Sequence, residues 1–165
     1  MKNKYCRGFN ITELMTVMAI IMIVASVAAP YFNAYRNNTN LKEAARSISS
    51  DISYYKQRAV SENIHYQINF NAPAAYTIWQ ETALNSGLFT NLIITKTVGA
   101  GNANIIISGT SGFITNTFIT FNPRGTTSNC NTTCDVTLKH NIRLSTADIN
   151  TNLMGRVNVQ YNLKH

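Results

Sequence analysis

Acidic residues are scarce in this 165-residue chain, and charges of either sign are few. Seven Asp and Glu stand against fourteen Lys and Arg, and all charged residues together make up 13% of the sequence. Hydrophobic residues make up 45%, which is not the composition of a disordered chain. The formal net charge of +7 allows an anionic partner without requiring one.

Motifs of catalysis and of metal binding are also missing. His65, His140 and His165 do not have the spacing of metal ligands or of a catalytic triad. No nucleophile elbow, phosphate-binding loop or paired-carboxylate pattern occurs in the sequence. We therefore expect a protein that is not an enzyme and that uses no cofactor and no metal.

Cysteine is rare as well. Cys6 lies in a basic N-terminal tip, whereas Cys130 and Cys134 lie close together in a stretch rich in Thr and Asn. A redox pair typically has C-x-x-C spacing before a helix, and a zinc site needs two further ligands where only His140 is near. We expect Cys130 and Cys134 to form a disulfide that holds the shape of a short loop, which suits an oxidising compartment.

One long run lacks formal charge altogether: the 22 residues from Leu14 to Tyr35. A helix of this length, at about 1.5 Å per residue, crosses a bilayer core of roughly 30 Å. Lys2, Lys4 and Arg7 precede the run, which predicts a cytoplasmic N-terminus and places the remainder of the chain outside.

Two simple interpretations of this run are a cleaved secretory signal and a plain signal anchor. The run is longer than the apolar part of a typical signal peptide, and Pro30 directly follows the small residues SVAA that would form the cleavage site. Neither interpretation accounts for Glu13, an acid at the edge of the span, where a carboxylate is costly unless it is paired.

Residues 7–15, RGFNITELM, closely resemble the leader junction of type IV pilins and type II secretion pseudopilins. The resemblance implies that a prepilin peptidase cuts after Gly8 and methylates the new N-terminal residue, Phe9. The Glu that these proteins carry four residues after that Phe would be Glu13.

The same resemblance implies a division of the chain and a place in the cell. Residues 1–8 would be the leader, 9–36 a transmembrane half-helix and 37–165 a periplasmic domain. The protein would cross the bacterial inner membrane once and would assemble with other minor pilins or pseudopilins and with the major pilin into a pilus or pseudopilus.

The resemblance also implies a partner for Glu13. Cutting after Gly8 creates an ammonium group on Phe9, and a buried ammonium and a buried carboxylate are each costly alone. Glu13 of one subunit can pair with the Phe9 amine of another, which would set the register of stacked helices. The alternative is that Glu13 merely rests at the level of the lipid headgroups.

Beyond Pro30, apolar residues recur at spacings of three and four. This is the pattern of an amphipathic helix that packs on a sheet. Pro30 itself can kink the helix because it removes a backbone donor. The apolar stripe consists of Leu41, Ala45, Ile48, Ile52, Tyr55 and Ala59.

From residue 64 the hydrophobic period changes to two, which predicts strands. The segments 64–70 and 76–79 are expected to form a hairpin with a turn at 71–74. We also expect a turn at 122–125 and a loop at 108–112. The other expected strands are 92–98, 104–108, 117–122, 135–139, 141–145 and 156–162. One long helix followed by short strands predicts an α+β, pilin-like fold in which the helix packs on antiparallel sheet.

Short motifs in the last third of the chain resemble one branch of the family, the GspH/FimT-type minor pilins and pseudopilins. They are FNPRG at 121–125, the polar stretch with the two cysteines, and GRVNV at 155–159. The resemblance implies a structural subunit that helps to initiate or cap a filament, in either a type IV pilus or a type II secretion system.

DNA binding during natural transformation is a second function found in that branch, through a C-terminal motif of the form G-R-x-R. This chain keeps the first Arg as Arg156 and has Asn158 in place of the second. The candidate DNA-binding residues are Lys139, Arg143, Arg156 and Lys164. The alternative is a solvated basic surface, because phosphate binding needs several cations close together.

The leader junction predicts the N-terminus of the mature protein. Mass spectrometry of the protein purified from cells that contain a prepilin peptidase should find a chain that begins at a methylated Phe9. A chain that still carries its leader in such cells would contradict the assignment of Gly8 and Phe9.

Overall fold

The fold begins with one long helix, α1, which runs from Ile11 to Glu62. The computed structural model describes residues 10–71, 73–83, 86–102 and 104–164. Contacts divide the chain into two compact units, one that ends at Arg36 and one that begins at Asn37.

In the first unit, α1 is apolar and its large hydrophobic side chains are exposed. By length and composition, this part of α1 is able to cross a membrane. Two of its hydroxyl groups bond to the helix itself: Thr16 donates to the Glu13 carbonyl at 2.8 Å, and Ser26 donates to the Ile23 carbonyl at 2.7 Å. Such internal bonds satisfy these two hydroxyls without a partner in lipid. The helix continues past position 30, and a kink at Pro30 stays a prediction.

In the second unit, the predicted apolar stripe of α1 is confirmed. Its six side chains are each 6% exposed or less, and they join the inward side chains of both sheets in a single core cluster. Burial of each Leu or Ile of the stripe contributes roughly 1.5–3 kcal/mol. The stripe is therefore the part of α1 that packs against both sheets.

Two antiparallel sheets pack on this core, so the predicted α+β class is confirmed. The first sheet has the strand order β3-β2-β1-β5-β6 and the second has the order β4-β7-β8-β9. The strands of the first sheet are β1 Tyr66–Asn71, β2 Ala75–Gln80, β3 Asn91–Thr97, β5 Phe118–Phe121 and β6 Thr127–Ser128. The strands of the second are β4 Ile105–Phe113, β7 Cys130–His140, β8 Thr146–Asn152 and β9 Val157–Asn162. A short 3-10 helix, Val98–Gly101, follows β3.

The strand predicted at 141–145 is wrong. These residues connect β7 to β8, because the amide of Leu144 donates to the His140 carbonyl at 2.8 Å and the amide of His140 donates to the Ser145 carbonyl at 2.9 Å. Leu144 also has a left-handed φ of 57°, which a strand does not contain.

The loop predicted at 108–112 is also wrong, because these residues continue β4. The pairing of β4 with β7 shifts register between Ile107 and Gly109 and again between Ser111 and Phe113. Bulges of this kind absorb an extra residue without ending the strand. At the second shift, a Cβ on Gly112 would lie 1.9 Å from the Thr133 carbonyl oxygen, so only glycine allows this approach.

The stripe makes a direct prediction about stability. Ile52→Ala should lower the free energy of unfolding by about 2–5 kcal/mol, because Ile52 is fully buried. Val60→Ala, on the same helix but half exposed, should change it by about 0.5 kcal/mol or less. Urea unfolding followed by circular dichroism, on a chain that begins at Asn37, measures both. Equal effects of the two substitutions would contradict the packing described here.

Candidate assembly and surface sites

The candidate processing site, Gly8 and Phe9, lies outside the described residues. The description begins at Asn10, whose side chain accepts a hydrogen bond from the amide of Thr12 at 3.3 Å. The backbone carbonyl of Asn10 accepts from the amides of Glu13 and Leu14 at 3.0 and 3.2 Å. Asn10 therefore acts as the N-terminal cap of α1 and satisfies donors that the first turn leaves free.

Glu13 lies in the first turn of α1, and its side chain is exposed. A carboxylate at this position is stabilised by the positive end of the helix dipole. The dipole alone does not offset the free-energy cost of a carboxylate in a bilayer, where ionised groups normally pair with a partner. In the described part of the chain, no ion pair includes Glu13.

A polar link on the part of α1 that belongs to the second unit is not predicted by the sequence pattern. Lys96 on β3 contacts both carboxylate oxygens of Asp51 at 2.8 Å, and the Tyr76 hydroxyl donates to one of them at 2.5 Å. Burial, and then the bond to Asp51, raises the pKa of Tyr76, so the phenol stays protonated and remains a donor. This link fastens the edge strand β3 to the helix.

A second polar group lies where α1 ends and β1 begins. The hydroxyl of Tyr66 donates to Glu62, and Arg58 contacts Glu62 at 2.6 Å. Burial, and then the bond to Glu62, raises the pKa of Tyr66 to about 12. These side chains hold the first turn after the helix in place.

Cys130 and Cys134 form the expected disulfide. They do not lie in a loop, because both belong to β7, and both are buried. Cys130 pairs with Phe113 next to the second register shift of β4, so the disulfide holds the irregular end of this strand pair. In the described residues no group of three or more His, Cys, Asp or Glu is placed to hold a metal ion.

The structure places the four candidate DNA-binding cations at two ends of the second sheet. Lys139 pairs with Thr146 at the start of β8, and Arg143 lies in the adjoining connection. The amide of Lys164 donates to Ser145 in that same connection at 2.9 Å. The carbonyl of Arg156, in contrast, accepts from the amide of Asn152 at the end of β8 at 3.1 Å.

The separation of the two ends follows from the strand geometry. Thr146 and Asn152 are six residues apart, which corresponds to about 20 Å along a strand. The four cations therefore do not form one cluster, and Arg156 is the member that stands apart. DNA binding by this set of residues stays a prediction.

The turn before Arg156 explains the glycine of the GRVNV motif. The ammonium of Lys56 on α1 donates to the Met154 carbonyl at 2.7 Å, and a Cβ on Gly155 would lie 2.8 Å from Cδ of Lys56. Gly155 also has a positive φ of 64°, which favours glycine. The motif thus holds the turn against α1, and Arg156 extends from it, exposed, beside a polar groove of about 490 Å³.

His140 is a buried titratable residue whose position the alternation of β7 predicts. Val136 and Leu138 point inward, so His140 does too, and it is fully buried. Its Nδ1 accepts from the amide of Arg143 at 3.4 Å, and its Nε2 has no partner in the described residues. Burial, and then the nearby charge of Arg143, lowers the pKa of His140.

The fold is that of type IV minor pilins and minor pseudopilins. The chain is similar to the crystal structure of the type IV minor pilin FimU of Pseudomonas aeruginosa, with a TM-score of 0.58 and 15% identity over 79% of this chain and 98% of that one. A second crystal form of FimU gives a TM-score of 0.55, again with 15% identity, over 75% and 98% of the two chains.

A pseudopilin from a different machine has the same fold. The minor pseudopilin EpsH of the Vibrio cholerae type 2 secretion system matches with a TM-score of 0.54 and 8% identity, over 74% of this chain and 97% of that one. No protein-family model matches the sequence, and no curated protein does. The similarity is therefore one of fold, and the sequence identity is low.

The burial of His140 predicts a loss of stability in acid. The unfolded chain binds a proton at His140 near pH 6.5, whereas the folded chain binds it only at lower pH. The contribution of neutral His140 to the free energy of unfolding thus has its full value above pH 6.5. It decreases as the pH falls toward the pKa of His140 in the folded protein. Urea unfolding between pH 8 and pH 5 should show a smaller decline for His140→Gln than for the unchanged protein. Identical pH dependence of the two would contradict the buried neutral imidazole.

Proposed function

We propose that the protein is a minor pilin or pseudopilin, a structural subunit that helps to initiate or cap a filament of a type IV pilus or of a type II secretion system. The single observation that supports this most is the dual character of α1. In the segment 14–35 it is uncharged and its large apolar side chains are exposed, whereas the stripe between Leu41 and Ala59 is buried on two antiparallel sheets. Such a helix suits a subunit that is held in a membrane first and in a filament afterwards.

In this proposal the subunit is first inserted in the bacterial inner membrane. The cations before Leu14 keep the N-terminus in the cytoplasm, and the domain from residue 37 onward lies in the periplasm, where the disulfide of Cys130 and Cys134 is stable. The prepilin peptidase then cuts between Gly8 and Phe9 and methylates the new terminus.

Assembly follows from the charge that the cleavage creates. Glu13 lies in the first turn of α1, and Phe9 is four residues before it in the sequence. Two such helices side by side can pair the ammonium of one Phe9 with the carboxylate of the other Glu13, and the pairing removes the cost of an isolated charge in lipid. The exposed apolar side chains of the segment 14–35 then pack against those of the neighbouring subunits, other minor pilins or the major pilin.

DNA binding in natural transformation is the second candidate function. The observation in its favour is the exposed Arg156 at the rim of a groove that Asn152 and Asn158 also line, since Arg and amide side chains both bind phosphate and base edges. Against it stands the separation of Arg156 from the other three cations. The structural function is therefore the one that the geometry supports best.

The proposed pairing can be tested at Glu13. Glu13→Leu should leave membrane insertion and cleavage unchanged but should remove the subunit from filaments, because the neighbouring ammonium loses its partner. The measurement is an immunoblot of the sheared filament fraction beside the membrane fraction. Glu43→Leu, which removes an exposed acid from the second unit on the same helix, is the matched control and should be incorporated normally. Normal incorporation of Glu13→Leu would refute the pairing.

A further inference from the structure

We propose that the connection between β7 and β8, residues 141–145, is a membrane-surface contact that binds anionic phospholipid before the subunit enters a filament. In this contact Ile142 and Leu144 enter the headgroup region, while Arg143, with Lys139 and Lys164 beside it, binds lipid phosphates. The inference rests on the proposed membrane insertion of the segment 14–35 and adds to it a second point of attachment.

A ring of hydrogen bonds places this connection close to Asn38, the second residue of the second unit. Ser145 donates to the side-chain oxygen of Asn38 at 2.9 Å, the amide of Lys164 donates to Ser145 at 2.9 Å, and the side-chain amide of Asn38 donates to the Lys164 carbonyl at 3.1 Å. Ser145 and Asn38 are both buried. Since Asn38 follows Tyr35, the last residue of the uncharged run, by three positions, covalent connection keeps the 141–145 connection near the bilayer surface once the run is inserted.

The connection exposes two apolar side chains, and one of them is on a residue with a strained backbone conformation. Ile142 is 67% exposed and Leu144 is 57% exposed. Leu144 has a left-handed φ of 57°, and the other non-glycine residues with positive φ in the described chain are all asparagines: Asn63, Asn116 and Asn129. Asparagine tolerates this conformation better than a bulky side chain does. An exposed Leu at such a position therefore costs stability in water, and contact with lipid supplies a reason for it.

Charge complementarity selects an anionic surface as the partner. Lys139, Arg143 and Lys164 take part in none of the ion pairs of the described residues. On the neighbouring strands, Asp148 accepts a hydrogen bond from Thr137 and Asp135 accepts one from Asn150, and neither acid forms an ion pair with these cations. Cations that lie within a Debye length of an anionic leaflet, about 8 Å at physiological salt, are attracted to it.

The combination of apolar and basic side chains favours a membrane over a nucleic acid. Exposed aliphatic side chains next to Lys and Arg are typical of segments that lie in a lipid interface, whereas the phosphate backbone of duplex DNA offers no apolar partner to Ile142 and Leu144. Arg156, which the DNA-binding motif would need, is at the other end of the sheet.

The test compares two sites of equal exposure at opposite ends of the same sheet. The full chain, in a Trp79→Phe background, receives either Ile142→Trp or Met154→Trp; Met154 is 65% exposed, in the turn before Arg156. Both proteins are placed in lipid nanodiscs that contain phosphatidylglycerol and a headgroup spin label. We expect quenching of the tryptophan at 142 and none at 154.

Charge reversal and lipid composition complete the experiment. Arg143→Glu with Lys164→Glu should reduce the quenching at 142 to the level at 154, Arg156→Glu should leave it unchanged, and discs of phosphatidylcholine alone should reduce it. Circular dichroism and the disulfide content confirm that each variant is folded.

Three outcomes would overturn the inference. If the chain purifies with the discs but position 142 is no more quenched than 154, the contact does not exist although the membrane insertion does. If the chain does not purify with the discs, the proposed insertion fails and this inference fails with it. If 142 is unquenched while the double charge reversal abolishes binding of a duplex DNA oligonucleotide, the connection is a nucleic-acid site instead.

Discussion

Burial of the apolar stripe on α1 is the interaction on which the rest of the second unit depends. Six side chains at spacings of three and four are buried. They pack with the inward side chains of both sheets in one core. Buried side chains alternate with more exposed ones along β1, β8 and the second half of β7, so one face of each of these strands packs on this core. Val136, Leu138 and His140 on β7 face it, and the residues between them do not.

Polar contacts along α1 then fasten individual parts of the sheets to the helix. Asn38 binds the β7–β8 connection and Lys164, two residues after β9. Asp51 binds β3 through Lys96, and Lys56 binds the turn before β9. From Asn38 to Lys56 is about 27 Å along a helix. The contacts are thus spread along α1, and each one fixes where a strand begins or ends. This is how the two ends of the second sheet acquire different surfaces, one apolar and basic around Arg143 and one amide-rich around Arg156.

Several elements were predictable because their signal is local. The stripe appears at helical spacing, and the hairpin of β1 and β2 was expected within two residues of its observed bounds. The disulfide was also expected, although its place in a strand was not. The two errors at 108–112 and 141–145 have a common cause. Alternation of Ile142 and Leu144 with polar residues imitates a strand, but hydrogen bonds within residues 140–145 form a connection there. The glycines at 109 and 112 imitate a loop, but pairing of β4 with the distant β7 continues the strand.

The sequence by itself determined the order of the elements, the uncharged run, the face of α1 that is buried and the chemistry that cleavage after Gly8 would create at Phe9 and Glu13. Each of these depends on residues within a few positions of one another, where side-chain pattern and backbone geometry are directly related. Only the tertiary structure decided which cations are neighbours and what anchors each end of the sheets. Asn38 and Lys164 are 126 positions apart, and a meeting at that separation is set by strand register and the shared core, which no local pattern encodes.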